Sequence, residues 1–140
     1  MSAHPQAYCQ YRNAMVDTAA PGRLLVMLFD AAVRNLDTAA EAIERRDPAT
    51  AHARLVKTQD IVAELMSSLD MRYDIARQLL PLYEYLHHRL VQANVKKDPA
   101  AIGEVRGFLV ELREAWATAA RRAGTVPAAR QVQAGLALEG

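Results

Sequence analysis

The sequence predicts an all-α protein, an antiparallel four-helix bundle, and three observations carry that reading. Alanine fills 27 of the 140 positions and leucine 16, against two phenylalanines and one tryptophan, which is a helix-forming composition. Apolar residues recur three and four apart through separate stretches of the chain. Asp-Pro-Ala stands at 47–49 and again at 98–100, each time behind a basic pair, Arg45-Arg46 or Lys96-Lys97. Aspartate caps a helix N-terminus, and a proline at the first helical position gives up no hydrogen bond. The basic pair suits the negative end of the helix before it. Each joint therefore ends one helix and starts the next at once, and joints this short make the neighbours antiparallel.

The first helix is predicted from about Pro21 to Arg45, with Leu25, Leu28, Phe29, Ala32, Leu36, Ala39 and Ile43 along one face. The second, from about Pro48 to Leu69, places Leu55, Val62, Leu65 and Leu69 on one stripe. The third, from about Asp74 to Asn94, contains LLPLYEYLHHRLV, which is apolar or aromatic around most of its circumference. Pro81 inside it predicts a kink or a fresh start. The fourth, from about Pro99 to Arg122, spaces Ile102, Val105, Leu109, Leu112, Trp116 and Ala119 as a bundle seam, with Gly124 as its stop. Residues 1–19 read as a flexible N-terminal arm, 20–123 as the bundle and 124–140 as a disordered C-terminal tail. The arm carries Tyr8, Tyr11, Met15 and Val16, more apolar side chains than a solvated segment requires.

Charge and chemistry narrow the function by exclusion. Seventeen Lys and Arg against sixteen Asp and Glu leave a net charge of +1, too little for a basic nucleic-acid face. Cys9 is the lone cysteine, so no intramolecular disulfide forms and a reducing cytoplasm is the expected compartment. No apolar run reaches the length of a signal peptide or of a membrane span. Glu84 and His87 have the spacing of one half of a di-iron ligand set, but no second Glu-x-x-His accompanies them. His52 and the His87-His88 pair raise a histidine phosphotransfer bundle as an alternative, although no glycine follows either to admit a phosphate. Nucleotide-cradling glycine loops are absent, so neither a cofactor nor a small-molecule substrate is expected. What remains is a surplus of apolar residues on the second and third helices: Val56, Ile61, Met66, Leu80, Tyr83, Tyr85 and Val91. A tightly filled core accounts for them, and so does a groove that accepts a partner's amphipathic helices. A generic helical interaction domain is therefore a third reading.

Four strings stand in one order at bundle spacing: LLVMLFDAAVRNL at 24–36, SSLD at 67–70, LYEYLHHRLVQANVKKD at 82–98 and ELREAW at 111–116. Together they resemble the flagellin-specific export chaperones, the FliS family. The resemblance implies a helical bundle without enzymatic activity that holds flagellin in the bacterial cytoplasm, prevents its premature polymerisation and presents it to the flagellar type III export gate. The ligand it implies is the disordered C-terminal segment of flagellin, folding onto apolar grooves as it binds. On this chain the expected groove residues are Leu65, Met66, Leu69, Leu82, Tyr83, Leu86 and Leu90. Ala7-Tyr8 matches the family's N-terminal Ala-Tyr, and Tyr8 and Tyr11 are the positions expected to dock at the export gate. Two departures stand out. Ala20-Pro21-Gly22-Arg23 lacks the family's cap and acidic residues, and Arg72-Tyr73 replaces the two glycines common before the third helix.

Overall fold

The computed structural model describes residues 21–122 as four helices: α1 (Pro21–Glu44), α2 (Pro48–Ser67), α3 (Asp74–Lys96) and α4 (Pro99–Arg122). Helix α1 packs on α2 and α4, and α3 packs on α2 and α4, so the four stand at the corners of a square in up-down order. Cross-helix bonds fix the antiparallel register. Asp37 pairs with Arg106 and Asp30 with Arg113 between α1 and α4. Arg54 donates to Asn35 between α2 and α1, and Asn94 Nδ2 donates to His52 Nδ1 between α3 and α2.

The two joints form as their residues dictate. Asp47 accepts from the Thr50 N–H at 3.2 Å and Asp98 from the Ala100 N–H at 3.0 Å. The residue before each aspartate takes the left-handed conformation, with φ of 60° at Arg46 and 51° at Lys97. That turn lets the Asp47 N–H reach back to the Ala42 carbonyl and the Asp98 N–H to the Ala93 carbonyl, closing the preceding helix with a Schellman-type bond. The correspondence extends into the core. Leu28 and Leu79, Ala32 and Tyr83, Ala39 and Leu90, and Ala42 and Ala93 stand at equivalent positions before the two joints, and all eight are buried.

Phe29, Leu36, Leu55, Val62, Val105 and Leu109 are fully buried at the centre of this core. The α4 seam is as the spacing predicts except that Leu112 is only partly buried. Gly22 has a packing reason: a Cβ there would lie 3.0 Å from the Ala120 Cβ, so glycine lets α1 close against α4. No acidic residue occupies that first turn. Helix α3 runs unbroken through Pro81, so the fresh start expected there does not occur. Pro81 is the eighth residue of α3, and the ring faces outward on the exposed side. The crossing from α2 to α3 is stapled by Asp70, whose carboxylate takes the Arg72 backbone N–H and guanidinium. These bonds hold the Asp70 carboxyl down at about 2.

Candidate docking surface

Four of the seven expected groove residues are core residues. Leu65, Tyr83, Leu86 and Leu90 are each at most 2% exposed. Their helical spacing is that of the inward stripe, and hydrophobicity alone does not separate a groove floor from a bundle interior. Tyr83 shows this most clearly. Its ring is 2% exposed, and burial pushes its pKa up to about 12, an effect that the Trp116 indole offsets in part. Met66, Leu69 and Leu82 are partly buried, packed against the core with one side outward. Tyr8 and Tyr11 lie outside the described residues, as do Cys9, Gly124 and the rest of both flanks.

The exposed apolar surface lies next to those three residues and along α3. Met71 and Tyr73 are exposed in the crossing, and Tyr85, Val91 and Val95 on the outside of α3. Val95 is 77% exposed, which no packing within the bundle explains. Sequence reasoning placed Tyr85 and Val91 in the surplus but missed Met71, Tyr73 and Val95. Val95 could have been found by counting from Leu86, Leu90 and Ala93, since the helical period sends it to the opposite face.

Polar groups border this surface. Tyr85 donates from its hydroxyl to Glu104 at 2.5 Å, and Arg89 Nε donates to the other oxygen of the same carboxylate at 2.8 Å. The tyrosine hydroxyl first, then the guanidinium, lowers the Glu104 pKa. These bonds bridge α3 and α4, whose interface is the smallest of the four. Arg89 also donates to Gln92.

Three histidines lie among the described residues. His52 has its Nδ1 occupied by Asn94, His88 is exposed, and His87 is half-buried. Among the described residues no group of three or more His, Cys, Asp or Glu side chains is placed to hold a metal ion. Among the same residues no helix is long and apolar enough to cross a membrane. The arrangement offers apolar contact with a polar border, which is the chemistry of an interaction surface.

Comparison with known proteins bears on what that surface meets. Residues 4–123 match the family model described as "Flagellar protein FliS". The flagellar secretion chaperone FliS of Bacillus subtilis is 36% identical over 109 residues, covering 78% of this chain and 82% of the relative. That of Salmonella typhimurium is 37% identical over 115 residues, covering 79% and 85%. That of Vibrio cholerae is 31% identical over 112 residues, covering 76% and 82%.

Proposed function

Because the chain belongs to the flagellar protein FliS family, we propose that it is a flagellar secretion chaperone that binds the C-terminal segment of flagellin in the cytoplasm, keeps it from polymerising and delivers it to the type III export gate. The observation that carries this reading is apolar surface that, among the described residues, stays exposed on a bundle whose core is already closed. Met66, Leu69, Met71, Tyr73 and Leu82 offer methionines that adapt and aromatics that bury area at low entropic cost. A disordered segment that folds onto such a surface gains affinity mainly from burial of apolar area and gives part of it back as ordering entropy. That balance suits a ligand that must be released again.

In this reading Met66, Leu69 and Leu82 touch flagellin directly. Leu65, Tyr83, Leu86 and Leu90 support that surface from beneath. Tyr8 and Tyr11 act at the export gate rather than in the groove. The test is calorimetry together with circular dichroism, using a peptide of the cognate flagellin's C-terminal segment. One-to-one binding accompanied by a gain of helix is expected. Replacing Leu69 or Leu82 by aspartate should abolish binding in a protein that stays helical by circular dichroism but melts at a lower temperature, since both side chains also pack against the core. A folded protein that takes up no flagellin peptide would refute the assignment.

A further inference from the structure

The outward face of α3 reads the same in both directions from His88. Three residues away stand Tyr85 and Val91, four away Glu84 and Gln92, and seven away Pro81 and Val95, and all of them are exposed, as His88 is. At 3.6 residues per turn, offsets of three, four and seven all point within about 60° of the direction of His88. These residues therefore form one strip, on the side away from the buried Leu79, Tyr83, Leu86 and Leu90. The members of each pair are alike in kind. Pro81 and Val95 are apolar, Tyr85 and Val91 are apolar, and Glu84 and Gln92 are polar.

A strip with this symmetry matches itself. Two α3 helices laid antiparallel about a twofold axis at His88 bring Tyr85 of each copy against Val91 of the other, and Pro81 against Val95. The one carboxylate of the strip, Glu84, falls opposite an amide rather than another carboxylate. Arg89 already holds the Gln92 side-chain oxygen at 2.8 Å. The Gln92 amide N–H groups are thus left to donate to Glu84 of the second copy. Tyr85 is ordered in advance by the bond from its hydroxyl to Glu104, so its ring gives up little further freedom on contact.

We propose that this face joins two copies of the chain in an antiparallel α3–α3 dimer. Any other partner would have to mirror a strip that mirrors itself, and a second copy supplies that match by symmetry. From Pro81 to Val95 the strip is about 21 Å long. One helix pair of that length buries less than the ~1,200 Å² at the lower end of standard interfaces. The dimer is accordingly weak and reversible, half-formed at roughly tens of micromolar.

Sedimentation velocity of the full chain, from about 5 to about 500 μM, reads the assembly state across that range. No flagellin is present, so the result is independent of the flagellin reading. The mean mass is expected to rise from one chain to two. Val95→Lys should weaken association at least about tenfold by setting a charge against Pro81 of the second copy, with circular dichroism unchanged because the side chain is exposed. Glu41→Gln alters net charge equally on the exposed side of α1, diagonal to α3, and should leave association unaltered. Cross-linking checks the register, in a chain carrying Cys9→Ser throughout. His88→Cys places two thiols at the axis, where a short bismaleimide should join the copies; Arg34→Cys, exposed on α1, should give no such product. A mass that stays at one chain throughout would assign the face to a different partner and overturn the proposal. Association undiminished in Val95→Lys, equal loss in Glu41→Gln, or equal cross-linking through Arg34→Cys would overturn it as well.

Discussion

The two helical hairpins are built on the same joint and packed to different standards. In the first, α1 lies along α2 in the most extensive interface of the bundle, and α1 buries Ala32, Ala39 and Ala42 completely. In the second, α3 meets α4 through the smallest interface, and the Tyr85–Glu104–Arg89 bridge lies along it. Helix α4 adds two glycines, Gly103 and Gly107, where a Cβ would meet nothing within 4 Å. The difference teaches that one turn chemistry fixes topology without fixing packing. The first hairpin is the structural half, and the second keeps apolar surface and backbone freedom in reserve.

The largest effect that would break this contrast is a core truncation. Leu36→Ala, in α1 at full burial, should cost about 3–5 kcal/mol in chemical denaturation. Val95→Ala on the outside of α3 should stay within about 0.5 kcal/mol. If the exposed valine proved as costly as the leucine, the second hairpin would not be the looser one.

Tyr83 tests whether α3 contributes a core of its own. Tyr83→Glu should prevent folding by burying a charge, whereas Tyr83→Phe should fold. Because the folded-state pKa lies at about 12, above the ordinary value of 10.0, the stabilisation linked to this group is complete below pH 10. It is lost as pH rises through 10 towards 12, an alkaline decrement of roughly 3 kcal/mol. The wild type should show that decrement in pH-dependent denaturation, and Tyr83→Phe should lose it.

Smaller effects sharpen the comparison. Glu104→Gln removes the charge from the α3–α4 bridge, and hydrogen exchange should quicken along that seam while α1–α2 amides remain protected. Gly107→Ala should stabilise by about 0.5–1 kcal/mol, since the methyl group enters open space. Arg46→Gly should stabilise by a similar ~0.5–1 kcal/mol because it relieves a left-handed residue. Lys97→Gly should gain less, since the Lys97 ammonium bonds the Asn94 carbonyl and side-chain oxygen.

Much of the fold was legible because the punctuation is local. Asp47-Pro48 and Asp98-Pro99 state where helices begin, and the observed starts at Pro48 and Pro99 follow. The α4 seam was legible for the same reason, since residues such as Leu109 and Trp116 have one apolar face and no competing one. The docking surface was less legible. Helix α3 is apolar nearly all round, so spacing alone could not divide Tyr83 and Leu86, which turn inward, from Val91 and Val95, which turn outward. That division is made by where α2 and α4 stand, a tertiary fact. Pro81 does not restart the helix, because α3 continues through it with the ring on the exposed side.

The contact between Gly22 and Ala120 has a topological consequence. With the first helix beginning and the last ending side by side, the bundle is nearly a closed ring cut at one point. The cut could be moved. A chain opened within the Asp70–Tyr73 crossing and rejoined by a short linker across the Gly22–Ala120 contact would trace the same four helices in a new order. The two flanking segments attach at one pole of the bundle, and both Asp-Pro joints lie at the opposite one.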